Sequence, residues 1–394
     1  MGPTRPKGRS TIRVLVAGLS DSRSICLFLV DQGFEVATLQ PSSVDLGDFG
    51  GKRLPPNTRL PYRLELAPVF PTRPYPYSLY LGGAASLLRD FRPELLYLIG
   101  EPSELGVAQL VRLSRRFSPA TRLVLYSFEN VEQRWHGFPR CLRAWAQRRT
   151  LPSLDLVAAA SEGARQCLLR RGLAADRIRL LPRGSDENFY YRREASSWRA
   201  ELRIAPEDFL IGYVGRLVYE KGVDLLLEAL HSLSERFVLA LAGRGRYEAE
   251  LRALAGRLNL DSRLRWLGRL AGEQVPLLLS ACQALVLPSR SIPTWQEQFG
   301  LVLVEAMLCE TPVIGSSSGA IPEVIGDAGL IFPEGEVPAL ADCLARLAAD
   351  PQLRADLAAS GKRRALDHFT TRLYLERVAS LIREAAALPR RNDR

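Results

Sequence analysis

The chain is poor in residues that hold metals or form disulfides. Its 394 residues include six cysteines and three histidines, scattered singly, with no C-x-x-C pair and no histidine at metal-ligand spacing. Zinc sites and disulfide frameworks both need clustered ligands, so the sequence predicts reduced thiols in the core. No Asp-x-Asp occurs, which removes the obvious carboxylate pair for a divalent ion on a diphosphate. We therefore expect neither a metal nor a cofactor.

Long apolar runs are also missing. No uninterrupted apolar stretch reaches the roughly 20 residues that a membrane span needs. The apolar segment after Arg13 is broken at residues 20–23, SDSR, before it could form the core of a signal peptide. The sequence therefore predicts a cytoplasmic protein.

Lysine is scarce although the chain is basic. The net charge is +10, yet only four of the 53 basic residues are lysine. A positive charge is compatible with nucleic acid, anionic lipid or an anionic small molecule as partner. The arginines are spread along the chain without interleaved aromatic repeats, which argues against nucleic acid. The bias toward arginine is typical of coding composition, and it makes each lysine a residue of interest.

The hydrophobic pattern alternates between strands and helices. Strand TIRVLVAG is followed by a helix through 24–32 and by strand FEVATL, a β-α-β unit, and similar units continue to about residue 184. The second half repeats the pattern with strands such as FLIGYVG, RFVLALAG and TPVIGS. The sequence therefore predicts an α/β fold with two tandem Rossmann-like doubly wound domains. The cleft between them is the expected ligand site.

The domain boundaries follow from this alternation. We predict an N-terminal domain over 1–190, a C-terminal domain over 191–370, and a helix over 371–394 that is a candidate to pack back on the first domain. Residues 41–82 are rich in proline, arginine and tyrosine and predict only loops with one or two short strands.

The stretch YVGRLVYEKGVDLLLEAL, 213–230, places two cations near a strand end. The strand ends at Gly215, Arg216 follows, and Lys221 precedes an amphipathic helix. Cations beside a helix N-terminus would suit a diphosphate. The alternative is a strand-end arginine and a surface lysine. Further on, Gly243-x-Gly245 lacks the third glycine of a dinucleotide fingerprint, so a nicotinamide cofactor is poorly supported.

The stretch EQFGLVLVE, 297–305, has a carboxylate at each end. Glu297 lies in the loop before a predicted helix and Glu305 lies within that apolar helix, where a carboxylate needs hydrogen-bond donors. The amides of Phe299, Gly300 and Leu301 would point out of the helix start toward a phosphate oxygen or a sugar hydroxyl. The alternative for Glu305 is a surface glutamate on an amphipathic helix.

These motifs together carry a family resemblance. GRLVYEKG, PSR at 288–290, EQFGLVLVE and GAIPEVIGDAGLIFPEG at 319–335 resemble the retaining family 4 glycosyltransferases of GT-B fold, also called glycosyl transferases group 1. The segment 161–186 is similar to the part that ends the first domain in that family. The resemblance covers nearly the whole chain, and it is dense in the second domain and looser in the first.

The resemblance implies a metal-independent donor site in the second domain and an acceptor side in the first. Arg216 and Lys221 would bind the diphosphate of a nucleotide-sugar and serve catalysis. Glu305 would hold the ribose hydroxyls, and Glu297 would hold the hydroxyls of the transferred sugar. The other donor-binding positions are glycines and the helix start: Gly18, Gly215, Phe299, Gly300 and Leu301.

The chain departs from the family at one strand end. Many members have a histidine followed by an acid where this chain has Glu129 and Asn130, after strand LVLYSF. The family histidine role does not carry over, and we predict that Glu129 faces the cleft as a catalytic carboxylate. The alternative is that Glu129 caps the next segment.

The resemblance predicts a retaining transfer of a hexosyl-type group to an acceptor hydroxyl, in polysaccharide or glycoconjugate biosynthesis. The acceptor is expected to be a glycan or a lipid-linked molecule. The basic helix PRCLRAWAQRR, 139–149, could lie on the inner face of an anionic membrane beside a lipid-linked acceptor. The alternative for that helix is a solvated arginine face. Two other functions remain open: an isomerase like the nucleotide-sugar 2-epimerases, and a non-catalytic protein that binds sugar nucleotides.

Overall fold

The computed structural model describes residues 11–18, 22–42, 60–72, 75–132 and 137–389, except the side chains of 75 and 137–139. The strands of the first domain are β1 Arg13–Gly18, β2 Glu35–Pro41, β3 Arg63–Ala67, β4 Val69–Phe70, β5 Leu79–Tyr80, β6 Leu95–Ile99, β7 Arg122–Ser127, β8 Leu156–Ala159 and β9 Ile178–Leu180. Its helices are α1 Arg23–Asp31, α2 Ala84–Phe91, α3 Leu105–Phe117, α4 Gly137–Thr150 and α5 Glu162–Arg170.

The second domain repeats this architecture. Its strands are β10 Phe209–Val214, β11 Phe237–Ala242, β12 Leu264–Gly268, β13 Ala284–Leu287, β14 Val313–Ser316 and β15 Leu330–Phe332. The helices are α6 Ser196–Glu201, α7 Val223–Ser232, α8 Glu248–Arg257, α9 Gln274–Ala281, α10 Leu301–Leu308, α11 Ile321–Ile325, α12 Val337–Ala349, α13 Pro351–His368 and α14 Thr371–Ala387.

Each domain is built on a parallel sheet. The first sheet has the order β3-β2-β1-β6-β7-β8-β9 and the second the order β12-β11-β10-β13-β14-β15. Central strands such as β6 and β11 are buried along their whole length, as expected when helices cover both faces. The predicted α/β class with two Rossmann-like domains is confirmed. The order reverses beside β1 and β10, so each sheet has a topological switch point at its carboxyl edge.

The last helix, α14, leaves the second domain and packs on the first. Val378 and Ile382 lie in one buried cluster with Val14 and Val16 of β1. The chain crosses over beside the interdomain linker, where the amide of Ser185 donates to the carbonyl of Phe369 at 2.9 Å. The two domains are therefore joined by a covalent linker and by the packing of α14.

Three helices, α2, α6 and α13, were not predicted from the sequence. Helix α2 lies in the region after residue 82 that the pattern left unassigned, and α13 begins after Asp350, whose carboxylate caps it by accepting from the amide of Leu353 at 2.9 Å. The buried residues of α13 are Leu357, Gly361 and Ala365, so its apolar face is narrow and formed partly by small residues. Such a face gives a weak helical pattern in the sequence.

Candidate active site

The predicted donor-binding residues lie at the carboxyl edges of the two sheets. Gly18 ends β1, and Gly215 and Arg216 follow β10. Arg216 is partly buried, and its carbonyl accepts a hydrogen bond from the Tyr213 hydroxyl at 2.7 Å. Ligands of parallel α/β sheets bind at this edge, so these residues occupy the expected place.

Lys221 is brought to this edge by the glycine that follows it. Gly222 has φ of 66°, and a Cβ built on it would lie 1.9 Å from the carbonyl oxygen of Pro288. Only glycine tolerates both the left-handed backbone and this close approach. The approach places the short 3₁₀ turn Tyr219–Lys221 against the end of β13.

Glu297 is buried and is held by two donors. The Lys221 ammonium donates to Glu297 Oε2 at 2.5 Å, and the Ser289 hydroxyl donates to the same oxygen at 2.7 Å. The Lys221 ammonium also lies 5.0 Å from the centroid of the Trp295 ring. A buried ion pair is costly unless further hydrogen bonds satisfy it, and Ser289 supplies one. Both donors bond to Oε2, and none of the described residues bonds to Oε1 of Glu297.

The start of α10 follows Glu297 directly. Gly300 has φ of 80°, and a Cβ on it would lie 2.9 Å from Leu287 of β13. Phe299 is buried, with its ring edge-on to Phe369 at 5.7 Å between centroids. Leu301 begins the helix, whose first amides have no acceptor within the helix itself. These contacts fix the direction in which the helix start points.

Glu305 lies one turn into α10 and is partly buried. The Tyr190 hydroxyl donates to its carboxylate, which lowers the pKa, but burial dominates and raises the pKa of Glu305 to about 7. Burial, and then the charge and hydrogen bond of Glu305, raise the pKa of Tyr190. Additional hydroxyl donors would stabilise the charged form of this buried carboxyl group, and the predicted ribose contact would supply such donors.

Glu129 does not lie open to the cleft as we expected. It is buried in an ion pair with Arg171, whose guanidinium donates to Glu129 Oε2 at 2.7 Å, and Arg143 of α4 lies 3.9 Å from Oε1. Arg143 lies in α4, and Arg171 directly follows α5. The alternative of a helix cap is not what the structure shows either, because the partner is a guanidinium. A catalytic role for Glu129 stays a prediction.

A second buried carboxylate holds the same strand end. Glu101, after β6, accepts from the Ser127 hydroxyl at 2.6 Å and from the amides of Phe128 and Glu129 at 2.8 and 2.9 Å. Burial, and then the negative charge of Glu129, raise the pKa of Glu101 to about 8. Glu101 and Arg171 were not predicted as site residues, because their partners are distant in the chain, and Ser289 entered only as part of the PSR motif.

Other features of the described residues lie away from these strand ends. No group of three or more histidine, cysteine, aspartate or glutamate residues there could hold a metal ion. Within the same ranges, no helix is long and apolar enough to cross a membrane. A cavity of about 390 Å³ lies at the opposite edge of the first sheet, lined among others by Arg13, Glu94 and Arg122 at the starts of β1, β6 and β7. It does not touch the predicted site residues.

Comparisons with known proteins agree with this fold. Residues 22–184 match the model of the glycosyl transferase 4-like domain, and residues 194–364 match the model of glycosyl transferases group 1. The solved structure of Anabaena HepE in complex with UDP and glucose superposes with a TM-score of 0.72 at 20% identity, covering 95% of this chain and 100% of that one.

The chain matches only part of the length of its curated relatives. The chain is 30% identical over 224 residues to the alpha-D-kanosaminyltransferase of Streptomyces kanamyceticus, covering 54% of this chain and 56% of that protein. It is 27% identical over 284 residues to the GDP-mannose-dependent alpha-(1-6)-phosphatidylinositol monomannoside mannosyltransferase of Mycolicibacterium smegmatis, covering 70% and 73%. The two matched domain models and the GT-B architecture show that this chain belongs to the family 4 glycosyltransferases, glycosyl transferases group 1.

Proposed function

We propose that this chain is a retaining glycosyltransferase that moves a hexosyl-type group from a nucleotide diphosphate sugar to an acceptor hydroxyl. The observation that carries the proposal is the contact of Lys221 and Ser289 with Glu297 at the carboxyl edge of the second sheet. It places a cation and a carboxylate, both largely buried, where such sheets bind ligands. The family of the chain and the UDP and glucose in the HepE structure support the same class of donor.

Lys221 and Arg216 would stabilise the departing diphosphate. The Lys221 ammonium has three N–H donors, so it can keep Glu297 and still donate to a phosphate oxygen. Negative charge grows on the diphosphate as its bond to the sugar breaks, and fixed cations therefore stabilise the transition state more than the ground state. In this proposal no metal ion is needed for that step.

Glu297 would orient the transferred sugar. Its Oε2 is held by Lys221 and Ser289, and Oε1 would accept hydrogen bonds from sugar hydroxyls. The acceptor oxygen would attack the face that the diphosphate leaves. A bond from that oxygen to the anomeric carbon forms, the bond from the anomeric carbon to the phosphate oxygen breaks, and the acceptor proton passes to a β-phosphate oxygen. The sugar then keeps its anomeric configuration.

The test of the activity is product analysis with a panel of sugar nucleotides carrying uridine, guanosine, adenosine and thymidine diphosphate, in EDTA. Simple sugars and lipid-linked glycans serve as acceptors. A transferase releases nucleoside diphosphate together with a new glycoside. An isomerase would change the donor sugar without an acceptor, and a non-catalytic protein would bind a donor and leave it intact.

The roles of the two glutamates can be separated by ligand. Glu305→Gln is expected to weaken the binding of both uridine diphosphate and the intact donor, because Glu305 lies on the proposed ribose side of the site. Its raised pKa adds a pH test. Ribose hydroxyls favour the charged carboxylate, so the affinity for uridine diphosphate should rise severalfold from pH 6 to pH 8. Phosphate ionisation contributes in the same direction.

Calorimetry of parent and Glu305→Gln at both pH values measures the difference. The variant keeps the part of the pH dependence that belongs to the phosphate and should lose the rest. Equal pH profiles for the two proteins would remove Glu305 from the ribose site.

We also propose that α4 makes peripheral contact with an anionic membrane. Arg140, Arg148 and Arg149 are exposed, and Trp145 is 46% exposed, whereas Arg143 turns inward to Glu129. An arginine near an anionic surface contributes about 1 kcal/mol. Arg148→Gln/Arg149→Gln should therefore reduce binding to phosphatidylglycerol vesicles by roughly thirtyfold.

Vesicle sedimentation measures this contact. The matched control is Arg346→Gln/Arg363→Gln, which removes the same charge from exposed positions in the second domain. Equal loss in both variants would mean that only net charge matters and that α4 is not a docking surface.

A further inference from the structure

The two domains are linked by a side chain that reaches the backbone of the donor site. Asn130, in the loop after β7 of the first domain, donates its side-chain N–H to the carbonyl of Glu297 at 2.8 Å. Asn130 is buried, and Glu297 lies 167 residues further along the chain. The bond therefore exists only while the first domain is closed against this part of the second.

A second hydrogen bond joins the domains, and its donor again lies in the first domain. The carboxylate of Glu323, in α11 of the second domain, accepts from the amide of Glu162 at 2.9 Å. Glu162 is the first residue of α5, where a helix has no acceptor of its own for that amide. Glu323 thus satisfies a helix N-terminus across the domain boundary.

The two bonds lie side by side. On the first domain, a Cβ built on Gly163 would lie 3.2 Å from the Cβ of Asn130, so the start of α5 contacts Asn130. On the second domain, the amide of Ala320 donates to the same carbonyl of Glu297 at 3.0 Å, just before α11. We call Asn130, Glu162, Glu297, Ala320 and Glu323 the cross-domain patch.

We infer that Asn130 is a positioning residue which couples closure of the domains to the placement of the Glu297 carboxylate. This inference rests on the proposed function in one respect, the use of Glu297 for the donor sugar. The carbonyl of Glu297 accepts from Ala320 of its own domain and from Asn130 of the other, so closure adds a second hydrogen bond that restrains its backbone. A donor that binds the placed carboxylate then favours closure by the same factor with which closure favours the donor.

The test uses a distance between the domains. Cys141 is exposed on α4, the other free cysteines among the described residues are buried, and Leu366→Cys would add an exposed thiol on α13 of the second domain. Spin labels at these two positions report the interdomain distance by double electron–electron resonance. The measurement needs no substrate, so its outcome does not depend on the proposed activity.

Asn130→Asp keeps the size of the side chain but replaces the N–H donor with an oxygen that faces a carbonyl. The distance distribution should broaden and shift to longer values in Asn130→Asp, in Asn130→Ala and in Glu323→Ala. Glu323→Gln should match the parent, because its side-chain oxygen still accepts from the amide of Glu162. Circular dichroism of each variant establishes that the domains are folded.

Kinetics provide the second measurement. In Asn130→Asp, kcat for the transfer should fall at least fivefold while the affinity for uridine diphosphate, bound by the second domain, changes less than twofold. A merely structural role would not split the two parameters in this way. If all three disruptive variants keep the distance distribution of the parent protein, the inference is overturned, even when the enzyme is active. A shifted distance distribution in a protein without transferase activity would keep the coupling of Asn130 to closure and reject the proposed function.

Discussion

Arg171→Ala is expected to lower the free energy of unfolding by about 3–5 kcal/mol, because it leaves the Glu129 carboxylate buried without its main partner. The ion pair of the preceding residue, Arg170, provides a matched control. Arg170 and Glu132 have side chains that are 52% and 54% exposed. Such a pair contributes about 0–1 kcal/mol, so Arg170→Ala should be nearly neutral. Urea unfolding followed by circular dichroism compares the two variants, and equal losses would show that the buried pair is not a special source of stability.

The same pair decides how to test Glu129 in catalysis. Glu129→Gln should lower kcat by at least about tenfold if its charge stabilises the transition state. The variant also leaves Arg171 buried without its partner, so lost activity alone is ambiguous. The double variant Glu129→Gln/Arg171→Gln removes both charges. Activity that recovers in the double variant would assign Glu129 to structure, whereas activity that stays low would assign it to the reaction.

Glu297→Gln is expected to have the largest effect on turnover. A hydrogen bond to a charged group contributes about 1.5–3 kcal/mol, so kcat should fall by roughly 10- to 150-fold. Affinity for uridine diphosphate should be spared, since Glu297 is assigned to the sugar. The variant for comparison is Glu305→Gln, which should lower the affinity for uridine diphosphate. If the two variants respond alike to uridine diphosphate and to the intact donor, the division between sugar and ribose is wrong.

The sequence predicted the fold well because periodicity reports burial. Strands β6 and β11 are continuous apolar runs, and helices such as α7 have a clear apolar face, so their patterns can be recognised in a single sequence. Helix α13 was missed because small residues form much of its buried face. The region before α2 was left unassigned because proline, arginine and tyrosine give no period.

The candidate site was only partly predictable. Lys221 and Glu297 were both identified by motif, but their direct contact joins residues 76 apart and depends on how β10 and β13 neighbour each other. The pairing of Glu129 with Arg171 spans 42 residues and needs the packing of α5 over the strand end. Such pairings cannot be predicted from the local sequence pattern. The bond from Asn130 to Glu297 is harder still to predict, because it depends on how the two domains are placed relative to each other.

The most direct test of a donor site at Lys221 and Glu297 is a thermal-shift titration with nucleotide-sugars in EDTA. It compares the parent protein with Lys221→Met and Lys362→Met. Lys362→Met is the control. Lys362, in α13, forms an ion pair with Glu310, which follows α10, at 2.6 Å, but both side chains are more than a third exposed. A ligand that binds only the folded state raises the midpoint by an amount that increases with the logarithm of its concentration divided by its Kd. We predict that at least one sugar nucleotide raises the midpoint of the parent and of Lys362→Met alike, and that Lys221→Met needs at least about tenfold more ligand for the same shift. A panel that shifts none of the proteins, or one that shifts Lys221→Met as readily as the parent, would contradict a donor site at Lys221 and Glu297.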